Sequence, residues 1–467
     1  MGRARLNFHG PVAAIVACLC LASGDGAGQP QSAFHGPHPG AGHGSGRFGE
    51  ATSEPLPSVA LESAKYTIAP EQLALSAYAI SEPALSEPVI SVDDFGAKGD
   101  ARSDDTDAIN RAVRSLNRGG TVRFTPGKTY LKRGLLVVDR ADIQLWGYGA
   151  RLYSVVTDEE ARVKGAARVG IQLLAPRTAV YGLTLTSNVR KRLTGHPNAS
   201  GVHLASDEQQ VIDARFEYAG IFARKARRFV IARNVVYRST ADGIHVTTGS
   251  SDGLVVGNLV RETGDDMIAV VNYGLGEPTV GNVLIERNDV SGQYWGRGIA
   301  IVGGRNITVR GNKIARTAFG AGILVHSETS YRTANVRGVR IEENDIREVQ
   351  TLAPDYNPAR RRRKAGHGAI DVNGQGAQQV SGVLIRKNTI QGTAKDGIYV
   401  RGNACDIDIS GNDLNRIGRT PIHIDSETSL ACRIACTANR LGRAVLSNPR
   451  CSAALLPGMS AGSVTLE

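Results

Sequence analysis

The chain has 467 residues, a formal net charge of +11, 55 glycines and only 5% aromatic residues. This length is more typical of an elongated repeat domain than of one compact globule, and many glycines with few aromatic residues indicate short strands joined by tight turns. The positive charge favours an anionic partner such as an acidic polysaccharide, although an arginine-rich soluble surface would carry the same charge. We predict no nucleic-acid partner because the sequence has no nucleic-acid-binding motif and no basic helix.

Residues 1–27 have the pattern of a secretory signal peptide. Arg3 and Arg5 precede an apolar stretch over residues 11–22, and small residues follow it. The stretch is too short to span a membrane. No later segment is long and apolar enough either, so we predict no membrane insertion. The pattern therefore predicts a secreted or periplasmic protein.

Residues 28–88 are predicted to form a flexible, low-complexity linker. Gly, Pro, Ser and His dominate residues 28–60, which have no apolar period. Residues 61–88 contain three prolines and scattered Ala and Leu, a pattern that indicates neither a helix nor a strand.

A strand, a helix and a second strand are predicted from residue 89 onward. Asp104 or Asp105 can cap a helix over residues 106–117, and the pair Gly119-Gly120 ends it. Its apolar residues recur at helical spacing and would face a core; they are Ala108, Ile109, Ala112, Val113 and Leu116.

A repeat of about 24 residues fills the rest of the chain, as in "VIARNVVYRSTADGIHV" and "LVVGNLVRETGDDMIAV". Each unit has alternating strands around one asparagine, which is predicted to adopt a left-handed backbone and to stack on its neighbours. These asparagines are Asn234, Asn258, Asn288, Asn312, Asn344, Asn388 and Asn412, and Asn439 extends the series. Leucine-rich repeats have this period, but their Leu-x-x-Leu-x-Leu framework is missing. The repeat predicts an all-β fold, a single-stranded right-handed parallel β-helix (solenoid), over residues 89–455.

The two ends of this solenoid need covering, because each coil buries its apolar face only against its neighbours. Helix 106–117 would be the N-terminal capping helix, and residues 456–467 would form a C-terminal tail. One isoleucine per coil is expected to form an inward column. The column consists of Ile244, Ile268, Ile299, Ile323, Ile370, Ile398 and Ile422.

An acidic cluster follows when the coils are aligned on these isoleucines. Asp242 and Asp266 both lie two positions before the isoleucine, and Asp265 precedes Asp266. Equivalent residues on adjacent coils lie ~4.8 Å apart, so the three carboxylates repel and the pKa of at least one should rise. This predicts an acid/base site. Two alternatives stay open: Asp-Gly is a common turn pair, as at Asp396-Gly397, and a calcium ion could neutralise the cluster.

A resemblance to known proteins supports the acid/base interpretation. "VDDFGAKGDARSDDTDAI" resembles the N-terminal signature of the pectate-lyase-type β-helix superfamily, and "TADGIHV" and "TGDDMIAV" are similar to the Asn-Thr-Asp and Asp-Asp motifs of the polygalacturonase family of glycoside hydrolases. The resemblance implies hydrolysis with inversion, with Asp265 as general acid and with Asp242 and Asp266 activating water. The chain departs from the family at Arg297, where a histidine is expected, and at Ala241, which replaces a threonine.

Arg297 has three interpretations. It could bind a substrate carboxylate, act near the α-proton in a lyase, or neutralise Asp266. Other residues predicted to bind substrate lie on the same face of later or neighbouring coils, and insertions over residues 272–281 and 350–368 would wall the groove. These residues are His245, Lys395, Tyr399 and Arg419.

Four cysteines remain after the signal peptide, and an even number in an oxidising compartment indicates two disulfides. We favour Cys405–Cys432 with Cys436–Cys451, because 27 residues is about one repeat. Two other pairings and a zinc site are the alternatives.

The sequence thus predicts an exported enzyme that hydrolyses glycosidic bonds in an acidic polysaccharide. A polysaccharide lyase or uronate epimerase and a non-catalytic glycan-binding or surface protein are the alternatives. We expect no metal or other cofactor for the hydrolase, and calcium only if the protein is a lyase. The oligomeric state does not follow from the sequence.

Overall fold

Each repeat forms one coil of a parallel β-helix in the computed structural model of the protein. The structure describes residues 61–68, 73–156, 170–190, 201–274, 276, 278–293, 295–351, 365–425, 428 and 432–446. Within them, the coils contribute strands to three sheets of thirteen, fourteen and eleven strands. The predicted signal peptide and C-terminal tail lie outside the described residues.

The strands of each sheet follow one another from coil to coil. Sheet 1 contains β1 (Val89–Ser91), β3 (Gly120–Arg123), β6 (Ile143–Trp146), β9 (Ala179–Tyr181), β12 (Gln210–Ile212), β15 (Val230–Ala232), β18 (Ser251–Val256), β21 (Gly281–Glu286), β24 (Gly304–Arg310), β27 (Val336–Glu342), β30 (Val380–Arg386), β33 (Ala404–Ser410) and β36 (Ile434–Thr437). Sheet 2 contains β2 (Asp100–Asp104), β4 (Thr129–Lys132), β7 (Arg151–Ser154), β10 (Thr184–Ser187), β13 (Arg215–Glu217), β16 (Val235–Tyr237), β19 (Leu259–Arg261), β22 (Asp289–Ser291), β25 (Lys313–Ala315), β28 (Asp345–Val349), β31 (Thr389–Thr393), β34 (Asp413–Ile417), β37 (Asn439–Leu441) and β38 (Ala444–Leu446). Sheet 3 contains β5 (Leu136–Val138), β8 (Ile171–Leu173), β11 (Val202–Leu204), β14 (Ile221–Arg224), β17 (Ile244–Thr247), β20 (Ile268–Val271), β23 (Ile299–Val302), β26 (Ile323–Ser327), β29 (Ile370–Gly374), β32 (Ile398–Gly402) and β35 (Ile422–Ile424). The final pair, β37 with β38, is antiparallel.

The predicted isoleucine column is confirmed in sheet 3. Ile244 pairs with Ile268, and the same register continues through every later coil to Ile422. All seven side chains are buried in the interior. The period-2 alternation of each strand turns one set of side chains inward, and the constant register stacks that set into one core.

The predicted asparagine ladder is also confirmed, and it runs to Asn439. The side-chain amide of Asn234 donates to Oδ1 of Asn258 over 3.0 Å, and the backbone N–H of Asn234 donates to the same oxygen. The following asparagines repeat this arrangement, so the buried amides satisfy one another along the axis.

The left-handed residue of this turn was predicted wrongly. It is the residue before each asparagine, and its φ lies between 53° and 64°. Gly257 and Gly311 occupy this position in two coils, whereas Arg287 and Lys387 occupy it in two others. The asparagine itself has an ordinary backbone because its side chain must point inward along the ladder.

Helix α1 (Thr106–Ser115) begins where the sequence predicted and ends two residues earlier. Asp105 is the N-cap residue, but its carboxylate accepts from the backbone N–H groups of Lys98 and Gly99. Asp104 Oδ1 accepts from the Thr106 N–H over 3.0 Å and so caps the helix instead. The predicted apolar face of α1 joins the core of the first coils.

The described part of residues 61–88 is not a free linker, which corrects the prediction for that segment. It contains short 3₁₀ turns at Glu62–Lys65 and Leu75–Tyr78; two more occur at Val92–Phe95 and Thr329–Tyr331. Leu75 is fully buried against the outer face of sheet 1. Glu82 pairs with Arg233, whose side chain is 2% exposed. The described part of this segment packs without forming an α-helix or a strand of its own, because its scattered apolar residues cover an apolar surface that sheet 1 supplies.

The predicted Cys405–Cys432 disulfide is present and links neighbouring coils, with a Cα–Cα distance of 4.8 Å. Cys436 is also disulfide-bonded, and Cys451 lies outside the described residues. Among the residues described, no helix is long and apolar enough to cross a membrane.

Candidate active site

The three predicted acids lie in the turns that lead into β17 and β20. Asp242 Oδ1 accepts a hydrogen bond of 3.0 Å from the backbone N–H of Asp266, one coil further along. Asp266 Oδ1 in turn accepts one of 2.6 Å from the N–H of Arg297. Two successive turns are therefore held by an aspartate of the preceding coil.

The stacking of the coils brings the three carboxylates together, as the alignment of the repeats on their isoleucines predicted. One oxygen each from Asp242, Asp265 and Asp266 lies within 4.8 Å of the others. Asp266 is buried, and the other two acids are half-buried. Such a cluster can share a proton among its members, because three negative charges at this distance repel.

Asp266 has the most perturbed environment of the three. Burial raises its pKa well above the usual value, the guanidinium of Arg297 opposes this rise, and Asp265 and Asp242 add to it. The net effect is upward because its side chain is only 7% exposed and faces two other carboxylates. Asp266 can therefore hold a proton at a pH where an exposed aspartate cannot.

Arg297 lies against Asp266 rather than in open solvent. Its Nε is 3.0 Å from Asp266 Oδ1, and its terminal nitrogen is 3.8 Å from Oε1 of Glu328. Although burial alone would lower the pKa of Arg297, Asp266 and Glu328 raise it. The structure thus places Arg297 in the neutralising position, one of its three interpretations, and binding of substrate by Arg297 stays a prediction.

His245 is held by Asp242 and by two aromatic rings. Its Nδ1 is 2.5 Å from Asp242 Oδ2. The imidazole stacks between Phe222 and Tyr273, with ring centroids 5.1 and 6.0 Å away. Nε2 is buried without a hydrogen-bond partner among the described residues. His245 therefore contacts the acid cluster directly, whereas its binding of substrate is untested.

Tyr273 explains why the outward positions of sheet 3 are less accessible than their alternation suggested. It packs over an apolar cluster that includes Ala269, Ala300 and Leu324, all of which are buried. The start of the predicted 272–281 insertion thus covers part of the outer face. Residues 352–364 of the second insertion lie outside the described residues.

Lys395, Tyr399 and Arg419 lie far from the acids along the axis. Tyr399 is on β32, four coils beyond β20, the strand that follows Asp266, or ~19 Å at ~4.8 Å per coil. It stacks on His423 at 4.5 Å. Lys395 donates to the carbonyl of Ala365, and Arg419 is exposed. The structure does not bring these three residues to the acidic cluster.

Asp396 shows what an Asp-Gly turn does outside the cluster of Asp242, Asp265 and Asp266. Its Oδ1 accepts from the Thr420 N–H over 2.9 Å, and its Oδ2 lies 3.5 Å from Nδ1 of His423. Asp242 makes the equivalent backbone contact with Asp266. Its histidine partner, His245, lies on its own coil, whereas His423 lies on the coil after Asp396. The needs of the turn therefore explain why an aspartate occurs at the position of Asp242 and Asp396. They do not explain why Asp265, a further acid, lies beside Asp266.

Gly296 is a site residue that the sequence analysis did not identify. A Cβ at this position would lie 2.4 Å from both the backbone nitrogen and Oδ1 of Asp266. The carboxylate of Asp266 can occupy its place only because the next coil has glycine there. The repeated Gly in "WGRG" and "FGAG" was the signal that could have revealed it.

Comparison with known proteins agrees with this fold. Residues 200–413 match the family model described as "Right handed beta helix region". Residues 89–167 match the model described as "Rhamnogalacturonase A/epimerase, pectate lyase-like". The chain is thus a right-handed parallel β-helix, as predicted, and its residues 89–167 are similar to pectate-lyase-like proteins. No curated protein matches the sequence.

Three solved structures illustrate the likeness. The catalytic unit of a GH87 α-1,3-glucanase from Streptomyces thermodiastaticus has a TM-score of 0.58 and 19% identity over 77% of this chain and 64% of the glucanase. A GH87 α-1,3-glucanase catalytic domain in complex with nigerose has a TM-score of 0.58 and 15% identity over 78% and 66%. The A-module of a mannuronan C-5 epimerase from Azotobacter vinelandii has a TM-score of 0.53 and 15% identity over 76% and 99%. This chain spans about two thirds of the glucanases, and identities this low establish the fold alone.

Proposed function

We propose that this protein is an exported enzyme that hydrolyses glycosidic bonds in a polysaccharide, with Asp242, Asp265 and Asp266 as its acid and base groups. The observation that carries the proposal is the convergence of three carboxylate oxygens within 4.8 Å, with one of the acids buried. Like charges at this distance destabilise the fold, so their presence indicates a chemical use. The Cys405–Cys432 disulfide fits an oxidising compartment.

The acids take different roles in this proposal. Asp265 acts as the general acid, and Asp242 and Asp266 activate a water molecule. Both contact the water in this proposal, and Asp242 takes its proton, because burial raises the pKa of Asp266 and favours its protonated form. An inverting enzyme separates its acid from its base by about 6.5–9.5 Å to admit that water. The oxygens of Asp242 and Asp266 lie closer than this, which suits two groups that contact one water from the same side, but an oxygen of Asp265 also lies within 4.8 Å of both. Inversion is therefore what the resemblance to polygalacturonases implies, and the spacing of the acids does not by itself support it. Inverted configuration of the first product, measured by NMR, is expected; retention would instead make one carboxylate a nucleophile.

The glucanase structures provide a parallel for the spacing of these acids. In two of them, both in complex with nigerose, a single aspartate is replaced by alanine, and the two replaced positions are 24 residues apart. Asp242 and Asp266 have the same separation.

An acidic polysaccharide is the substrate that we favour. The chain has a net charge of +11, and Arg419, in the turn before β35, is exposed. The described cations closest to the acids are already paired, as Arg297 is with Asp266. Recognition of anionic sugars would therefore fall to the later coils, with Lys395, Tyr399 and Arg419, and KM should rise with salt concentration.

A lyase or uronate epimerase is the second candidate, because three converging carboxylate oxygens resemble part of a calcium site. Calcium takes six to eight oxygen ligands, and Asp266 Oδ1 is already engaged by Arg297. The three converging oxygens would therefore supply only part of a calcium coordination shell, and calcium binding stays an alternative that belongs to the lyase. Arg297 is half-buried, and its contacts with Asp266 and Glu328 raise the pKa of its guanidinium, which disfavours abstraction of a proton by this residue. We therefore rank hydrolysis first.

A product assay with purified protein tests the proposal. We expect new reducing ends, without the ultraviolet absorption of an unsaturated sugar, on at least one member of a panel of neutral and uronate polysaccharides, with and without chelator. Asp265→Asn should lower kcat by on the order of a hundredfold or more. Asp396→Asn is the matched control, because it removes an equivalent turn aspartate outside the cluster.

Three outcomes would contradict hydrolysis. Unsaturated products that disappear with chelator would identify a lyase. Full activity in Asp265→Asn would remove the acid role. Glycan binding without turnover, unchanged in Asp266→Ala, would identify a binding protein in which the aspartates only form turns.

A further inference from the structure

An aromatic pair lies in the turns next to the acidic cluster. Trp295 and Phe319 stack with ring centroids 4.4 Å apart and an interplanar angle of 26°. Both residues are half-buried, although most other large side chains of these coils are in the core. Stacked rings that remain partly exposed at the entrance of a turn present a flat apolar surface to a ligand.

The coil beyond Phe319 leaves space beside this pair, whereas the coil before Trp295 is closely packed, since a Cβ at Gly264 would lie 2.5 Å from the carbonyl oxygen of Thr240. Four positions before the shared isoleucine of each coil, the residues in succession are Gly264, Trp295, Phe319 and Gly366. Glycine thus stands on either side of the two rings. A Cβ at Gly366 would meet nothing within 4 Å, so the side beyond Phe319 is open.

Buried amides hold the backbone of the pair in place. Gln293 is 1% exposed and donates to the carbonyl of Gly296. Gln350 is fully buried and donates to the carbonyls of Phe319 and Ala365, at 2.9 and 3.0 Å. A surface held this way is organised before any ligand arrives, which reduces the entropic cost of binding.

The pair is also close to the acids. Trp295 precedes Gly296 and Arg297, and the Arg297 N–H donates to Asp266 Oδ1 over 2.6 Å. The rings therefore begin one coil, ~4.8 Å, beyond the turn that carries Asp265 and Asp266. That distance is on the order of one sugar residue of a glycan lying along the axis.

We propose that Trp295 and Phe319 form a sugar-binding subsite, in which a pyranose ring of the glycan stacks its C–H face on the aromatic surface beside the acidic cluster. This inference rests on the proposed function, because it assigns the position of the substrate relative to the acids. The subsite recognises a ring face rather than a charge, since neither side chain is ionisable.

The tryptophan content of the chain allows a direct test. The chain has two tryptophans, Trp146 and Trp295. Trp146 lies on sheet 1, 4.8 Å from the ring of Tyr148 and against the segment that covers that sheet. In the Trp146→Phe protein, the tryptophan fluorescence therefore comes from Trp295 in the proposed subsite. In the Trp295→Phe protein, it comes from Trp146, away from the subsite.

Both variants are made in an Asp265→Asn background to stop turnover, and each is titrated with tetrasaccharides of α-1,3-glucan, polygalacturonate and mannuronan. We expect at least one tetrasaccharide to change the emission of Trp295 in the Trp146→Phe protein and to leave the Trp295→Phe protein unchanged. In the otherwise native enzyme, Trp295→Ala or Phe319→Ala should raise KM by roughly tenfold, about the value of one aromatic contact, with little change in kcat.

The outcomes separate the two proposals. A silent Trp295 with a tetrasaccharide that the enzyme degrades overturns the subsite and leaves the hydrolase intact. If the emission of Trp295 changes with a tetrasaccharide but the wild-type protein does not degrade it or the other two, the subsite is supported and the hydrolase is overturned. Silence with all three tetrasaccharides overturns the subsite. Because the fluorescence variants exchange one aromatic ring for another, the test does not depend on an alanine variant that fails to fold.

Discussion

At the scale of single residues, the acid cluster depends on groups that act on one another. His245 holds Asp242, Arg297 holds Asp266, and Gly296 leaves room for the Asp266 carboxylate. Each of these residues is close to an acid in space; His245 and Arg297 were assigned to this face from the sequence, and Gly296 was not. The two predictions at this scale concern His245 and the buried Asp371.

Replacing His245 by phenylalanine should separate its ring from its hydrogen bond. His245→Phe keeps an aromatic ring between Phe222 and Tyr273 but loses the contact with Asp242 Oδ2. A hydrogen bond to a charged group contributes about 1.5–3 kcal/mol, so kcat should fall on the order of ten- to a hundredfold. The control is His423→Phe, which removes the longer contact with Asp396. An equal loss in both variants, or none in His245→Phe, would show that the Asp242 contact has no role in activity.

The free energy of unfolding should fall as pH rises from about 4 to 6, because the buried carboxyl of Asp371 loses its proton. Its side chain is fully buried, and burial raises its pKa to about 6, against the lowering effect of Arg401. The folded state therefore retains a proton that the unfolded state releases near pH 4. The stabilisation from this proton is complete below pH 4 and is lost between about 4 and 6, an effect of roughly 3 kcal/mol.

Urea denaturation at several pH values measures this effect as the difference between the wild type and Asp371→Asn. Relative to the variant, the wild type should lose stability from pH 4 to pH 6 and change little above it. Arg401→Gln should extend the loss to higher pH, because the cation that opposes the rise is removed. Two parallel curves for wild type and Asp371→Asn would contradict the prediction.

At the scale of elements, one turn type repeats along the axis. The asparagine ladder joins sheet 1 to sheet 2 in eight coils, and the residue before each asparagine adopts positive φ. The ladder was predictable because asparagine recurs at one position in every repeat. The conformation was not, because the identity of the preceding residue varies among Gly, Arg, Glu, Lys and Ala.

Removing one rung should destabilise the solenoid. Asn312 bonds to Asn288, to Asn344 and to the carbonyl of Ile285. Asn312→Ala leaves these buried groups without a partner, so we expect a loss of about 2–4 kcal/mol in the free energy of unfolding. Asn415→Ala, at an exposed position on β34, should cost less than about 0.5 kcal/mol. Similar values for the two variants, from denaturant titration, would show that the ladder is not a source of stability.

At the scale of the whole molecule, each coil contacts mainly its two neighbours, so damage should stay local. The acids lie at β17 and β20, whereas the Cys405–Cys432 disulfide joins coils near the C-terminal end. Neither the acid cluster nor the proposed subsite shares a coil with it.

Loss of that disulfide should therefore loosen the last coils without affecting catalysis. In a protein with Cys405→Ser and Cys432→Ser, hydrogen exchange should accelerate in β33 and β36, by an amount equivalent to about 3 kcal/mol of local stability. Exchange in β17 and β20 and the kcat should stay near those of the wild type. Loss of protection throughout the solenoid would show that it unfolds as one cooperative unit.

The repeat by itself determined the β-helix, the isoleucine column, the asparagine ladder and the convergence of three acids, because a constant period stacks equivalent residues in adjacent coils. Only the tertiary structure decided that Arg297 pairs with Asp266, that Tyr273 covers outward positions, that residues 73–88 pack on sheet 1, and that Lys395, Tyr399 and Arg419 lie coils away from the acids. These features depend on insertions of unequal length and on contacts between segments distant in the chain, and periodicity carries no information about either.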